Sequence, residues 1–88
     1  MKNCLTIAGS DCSGGAGIQA DIKTFSALGC YGMSVITSVF AENTHALLSS
    51  MSVSQEVIAD QLEAVFSDIR VDAVKIGVLP DTGAMRAV

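Results

Sequence analysis

An α/β fold built on a mostly parallel sheet is what this 88-residue sequence predicts, and three observations predict it. Short apolar segments rich in β-branched residues alternate with stretches of helical periodicity, and the connections between them are short. Half of the residues are hydrophobic and 16% are charged, with a mean hydropathy of +0.51, which suits strands covered on both faces. A domain this small buries only about 60–65% of the surface its unfolded chain exposes, so an apolar content this high points to part of a larger α/β protein.

The elements follow in order. Leu5 to Ala8 predicts a short buried strand. From Ala16, the residues Ile18, Ile22, Phe25 and Gly29 recur at helical spacing, which predicts a first helix closed by Gly29. Tyr31 to Ala41 predicts a second strand, so the opening segment is a βαβ unit whose two strands run parallel. Asn43 to Ser50 is a polar connection, and the weakly apolar residues around Met51 and Val53 predict a short strand or an extended linker. Ser54 then caps a helix that places Val57, Ile58, Leu62, Val65, Phe66 and Ile69 on one face. Asp72 to Val78 predicts a further strand, and Pro80, Asp81 and Thr82 turn into a last helix that reaches Val88 without a cap. The order is βαβ(β)αβα, and the uncapped end predicts a truncated chain.

Charge and composition narrow the function. A net charge of −4, with five basic residues nowhere clustered, offers no footprint for a phosphate backbone, so nucleic acid is not expected as a partner. No apolar run has the length of a membrane span or a signal segment, so no membrane partner is expected and the cytoplasm is the expected location. Cys4, Cys12 and Cys30 have neither the number nor the spacing of a disulfide framework or a zinc site, and no metal ligand is expected in the chain. His45 reads as a surface residue, Tyr31 as packing, and Lys75 as a snorkelling lysine with a phosphate contact as the alternative.

The informative stretch runs from Ala8 to Asp21, where a strand breaks into a turn with Gly9, Gly14, Gly15 and Gly17 and opens directly into a helix. Glycine brings backbone N–H groups close to a ligand and a helix N-terminus favours negative charge, so the turn is expected to hold polar or anionic groups. In open α/β sheets, ligands bind beyond the carboxyl ends of the strands. The glycine turn, Glu42 and Gly77-Val78 each follow a strand, and Asp21 lies in the second turn of the first helix, so all of them are expected around one cavity. Gly15, Gly17 and Ala20 also satisfy a dinucleotide fingerprint, although Gly15 comes seven residues after Ala8, later than that fingerprint requires. No Gly-Lys-Ser/Thr occurs, which excludes a P-loop.

The blocks Leu5–Asp11, Ser13–Asp21, Thr24-Phe25, Leu28-Gly29, Tyr31–Thr37 and Lys75–Gly77 closely resemble the hydroxymethylpyrimidine/phosphomethylpyrimidine kinases of thiamine biosynthesis, and the resemblance runs from Leu5 to Val88. It implies a ribokinase-like fold and transfer of the ATP γ-phosphoryl group, with Mg2+, first to the hydroxymethyl of 4-amino-5-hydroxymethyl-2-methylpyrimidine and then to the resulting monophosphate. It further implies that residues 1–88 are the N-terminal part of a single domain that works as a cytoplasmic homodimer. The family's anion hole, its base and most nucleotide contacts lie beyond Val88, so no catalytic residue is expected within this chain. Carried over by position, Gly9 supplies a backbone contact at the pocket wall, and Asp21 accepts hydrogen bonds from the pyrimidine or its hydroxyl. Glu42 stands where the family usually has a glutamine, which both donates and accepts, whereas an ionised glutamate only accepts. Val78 stands where a methionine often packs on the ring. A pyridoxal kinase relative, a dinucleotide-binding oxidoreductase domain and a non-catalytic binding module are the alternatives, and Ala41-Glu42-Asn43-Thr44 favours the pyrimidine enzyme over the first.

Overall fold

The computed structural model describes residues 1–77, 79 and 81–88 of the chain. Val78, one of the expected site residues, and Pro80 lie outside the described residues. Four strands form one sheet in the order β3-β2-β1-β4, where β1 is Asn3–Asp11, β2 is Tyr31–Glu42, β3 is Leu47–Ser52 and β4 is Ala73–Ile76. Three helices accompany them: α1 (Gly17–Ala27), α2 (Gln55–Phe66) and α3 (Thr82–Ala87). Both β2 and β4 pair parallel with β1, as the βαβ reading requires.

Strand β1 is central and buried on both faces, which its apolar run demands. Leu5 and Ile7 join Met33, Val35, Ile58 and Ala84 in the core on one side. On the other side the Thr6 hydroxyl reaches Asp21 of α1. Helix α1 packs closely where Gly32 has no side chain, because a Cβ there would lie 3.0 Å from Ile22 and 3.4 Å from Phe25. Helix α2 begins at Ser54, whose side chain accepts from the Val57 N–H, and it ends at Phe66 rather than extending to Ile69. Asp81 caps α3 in the same way, accepting from the Ala84 N–H at 2.8 Å.

The sheet departs from the expected pattern at two places. The connection after Asn43 is a turn in which the Asn43 carboxamide accepts from the N–H groups of His45 and Ala46, and it leads into β3 antiparallel to β2. Residues 47–50, expected as loop, therefore form strand, because β2 extends past the rest of the sheet and offers them an edge. The second departure is a bulge at Thr37, where Ala8 pairs with Ile36 and Gly9 with Ser38. The Ile36 N–H and carbonyl, which β3 does not reach, both bond to the Gln61 carboxamide of α2 at 2.8 and 2.9 Å. Among the described residues no helix is long and apolar enough to cross a membrane.

Candidate functional site

The glycine turn is organised from inside by a carboxylate. Strand β1 runs on through Ser10 to Asp11, and Asp11 is 5% exposed. Its Oδ1 accepts from the Ser13 N–H at 2.9 Å and the Ser13 hydroxyl at 2.7 Å, while Oδ2 accepts from the N–H groups of Gly15 and Ala16 at 3.2 and 3.0 Å. The Ser13 hydroxyl, joined by these backbone donors, holds the Asp11 carboxyl below the usual carboxylate range. Amides expected to face an anionic ligand are thus occupied by an anion of the chain itself. The turn is bonded onto itself as a wall, and the isolated pairing of Ser10 with Gly17 closes its far end. The Gln19 carboxamide completes it, accepting from the Asp11 N–H at 2.9 Å and donating to the Ser10 hydroxyl at 2.8 Å.

This wall touches the end of β2. The Cys12 thiol donates to the Glu42 carbonyl oxygen at 3.1 Å, so the turn and Glu42, separated by 30 positions, are neighbours at the carboxyl ends of β1 and β2. Glu42 sits where a register shift separates it from Ala41, and it pairs with Leu47. Gly9 lies one step inside. A Cβ at Gly9 would collide with the Phe40 ring and stand 2.8 Å from the Ser38 hydroxyl oxygen. That hydroxyl is buried without a hydrogen-bond partner among the described residues, a polar atom beside Gly9 that sequence reasoning did not single out.

Asp21 of α1 stands over β1 itself, at Thr6, three positions before Gly9 along the strand. Its Oδ2 accepts from the Thr6 hydroxyl at 2.6 Å and from Lys75 Nζ at 2.9 Å. Burial pushes the Asp21 carboxyl up, but the Thr6 and Lys75 hydrogen bonds and the lysine charge outweigh it and hold the group below its ordinary value. Oδ1 receives no donor among the described residues. Lys75 is therefore an ion-pair partner of Asp21 rather than a snorkelling side chain. Thr6 and Lys75 face each other across the β1–β4 ladder, and α1 lays Asp21 over both.

The structure thus joins Gly9, the glycine turn and Glu42 directly, and sets Asp21 with Thr6 and Lys75 beside them. Two surface concavities lie elsewhere, one at the amino end of the sheet around Lys2, Asn3, Arg70 and Asp72 and one at the start of α2. No group of three metal-ligating side chains occurs among the described residues.

The family model for phosphomethylpyrimidine kinase matches residues 11–88. This chain belongs to the phosphomethylpyrimidine kinase family. Its relatives include the hydroxymethylpyrimidine/phosphomethylpyrimidine kinase of Escherichia coli (strain K12), 57% identical over 98% of this chain and 32% of that protein. Among solved structures, the phosphomethylpyrimidine kinase of Clostridium difficile 630 superposes with a TM-score of 0.96 at 52% identity, over 99% of this chain and 38% of that one. The Bacillus subtilis pyridoxal kinase, solved as an ADP complex, gives 0.89 at 40% identity over 98% and 34%. The fold is accordingly the ribokinase-like α/β fold that these kinases share, and the chain spans about a third of the length of the Escherichia coli and Salmonella typhimurium kinases it matches. The kinase family also removes the dinucleotide-oxidoreductase alternative.

Proposed function

We propose that residues 1–88 are the N-terminal part of a single kinase domain and carry its acceptor side: a wall of Gly9, Asp21 and Glu42 that holds 4-amino-5-hydroxymethyl-2-methylpyrimidine and then its monophosphate for phosphorylation by ATP. The observation that carries the reading is the state of Asp21. It is a half-buried, ionised carboxylate with one oxygen anchored by Thr6 and Lys75 and the other open, which is what a hydroxyl or amino donor on a small ring requires. Glu42 and the unpartnered Ser38 hydroxyl add polar atoms at the neighbouring strand end. Val78 is assigned to the apolar contact with the ring by its position after β4.

In the reaction, an acceptor oxygen attacks the γ-phosphorus, the bond to the β-phosphate oxygen breaks, and the acceptor proton passes to a base. Such transfers depend on positioning and charge neutralisation, and this chain contributes the positioning of the acceptor. The base, the anion hole and the ATP contacts are assigned to the remainder of the enzyme. Mg2+ is held typically by one or two carboxylates together with the phosphates of the nucleotide, so the metal is assigned with ATP to the remainder of the enzyme. The names of the family members favour the pyrimidine over pyridoxal, because identity is higher to the pyrimidine kinases, at 57% and 52%, than to the pyridoxal kinase, at 40%. A cytoplasmic location and a homodimer belong to the same proposal; three free thiols suit the first, and the exposed residues of β3 are the surface proposed for the second.

The test uses a complete kinase in which residues 1–88 replace the matching segment of the Escherichia coli relative. Both acceptors are expected to be phosphorylated, and Asp21→Ala is expected to raise KM for the pyrimidine more than it lowers kcat. The 88-residue chain alone is expected to be inactive. Activity of the chain alone, or a chimera inactive with both acceptors, refutes the reading.

A further inference from the structure

The chain has five cations, and the fold distributes them unevenly. Lys2 and Arg70 line the concavity at the amino end of the sheet, and Arg86 belongs to α3. Lys23 donates to the Gly14 carbonyl oxygen on the outer side of the turn. Lys75 alone contacts Asp21, and its side chain is 48% exposed. The Asp21 oxygen that it holds is also held by Thr6 at 2.6 Å, so Asp21 stays anchored if the lysine leaves. Gly77 keeps the space around the ammonium free, since a Cβ there would come within 3.3 Å of Lys75 Nζ.

On the reading given above, the two acceptors differ in charge. The first is a neutral alcohol, and the second is a phosphate monoester carrying about −1.5 to −2 near neutral pH. A phosphate brought to the Asp21 side of the site meets a carboxylate, and like charges at that range repel unless a cation intervenes. A lysine is suited to that task, being a compact charge on a flexible stem with three donors.

We propose that Lys75 is the specificity-determining residue for the second acceptor: it pairs with Asp21 while the alcohol is bound and moves to a phosphate oxygen of the monophosphate while Thr6 keeps Asp21 in place. Neither proton nor bond changes hands in this exchange of partners.

The experiment compares Lys75→Met and Lys75→Arg in the chimeric kinase, measuring kcat/KM for each acceptor. Lys75→Met is expected to lower kcat/KM for the monophosphate by at least about tenfold more than for the alcohol, and Lys75→Arg to restore most of that ratio. A merely structural ion pair would lower both values together, and that outcome, or an unchanged ratio, overturns the proposal while leaving the acceptor-side assignment intact. An unmodified chimera inactive with both acceptors overturns the assignment and the proposal with it. If Lys75→Met does not fold, Lys75→Gln removes the charge while keeping a donor for Asp21, and the same ratio decides. A second readout is the salt dependence of monophosphate binding, which is expected to flatten in the uncharged variants.

Discussion

Replacing Gly17 by alanine tests the architecture of the turn most directly. Gly17 opens α1 at φ +60°, and a Cβ there would collide with the Gly9 carbonyl oxygen and lie 3.2 Å from its carbonyl carbon. Two costs follow. Left-handed backbone costs an L-residue about 1–2 kcal/mol. The collision is with the backbone of a buried strand, so it is relieved only by displacing β1 or the turn, at about 1–3 kcal/mol more. Gly29 separates the two contributions, because it has φ +76° with nothing within 4 Å of a Cβ, so Gly29→Ala carries only the backbone cost. Thermal unfolding of the chimeric kinase, at about 2–4 °C per kcal/mol for a chain of its size, is expected to show a shift of about 3 °C for Gly29→Ala and about 9 °C for Gly17→Ala. The KM for the pyrimidine is expected to rise only in Gly17→Ala, since only that residue pairs with Ser10 beside Gly9. Equal shifts in the two variants would refute the close approach of the helix start to β1.

Three further outcomes follow from the site. The Asp11 carboxyl has a depressed folded value, so its contribution is present above the ordinary carboxylate range and is lost as pH falls through the folded value. The amide resonances of Ser13, Gly15 and Ala16 are expected to shift together in that acid window and to show no such step in Asp11→Asn; independent titrations of the three would sink the idea of a shared anchor. Glu42→Gln supplies a donor as well as an acceptor at the end of β2 and is expected to lower KM for the pyrimidine several-fold, about 1 kcal/mol of added hydrogen bonding; an unchanged or higher KM removes Glu42 from the ring contacts. Leu48 of β3 is 77% exposed and Met51 is 66% exposed, so Leu48→Lys with Met51→Lys is expected to convert a dimeric chimera to monomer in analytical ultracentrifugation. A dimer that survives both changes places the interface elsewhere.

Much of the scaffold was legible because its signals are local. The stripe of Ile18, Ile22 and Phe25 and the cap at Ser54 each specify a helix from neighbouring residues, and both helices form. The β-branched run from Tyr31 has only one way to bury both faces beside β1. Strand β3 was legible only at its end, around Met51; residues 47–50 read as connection because Leu47-Leu48-Ser49-Ser50-Met51-Ser52 has no alternation and every residue is exposed, and its pairing depends on the overhang of β2. The one local clue was Asn43, whose carboxamide folds back on the next turn. The role of Asp11 was hidden for a different reason. A polar pair after an apolar run reads as loop, and only the fold reveals that its donors come from the residues just after it. Asp21 and Lys75 stand 54 positions apart, and nothing but the β1–β4 ladder brings them together.

The carboxylate of Asp11 gives the turn its own resident counter-ion. A free phosphate or sulfate would have to displace a rival that is covalently tethered two to five residues from the donors it occupies. The stretch that most looks like an anion trap thus already holds one, since the amides of Ser13, Gly15 and Ala16 are spent on a carboxylate of the chain itself.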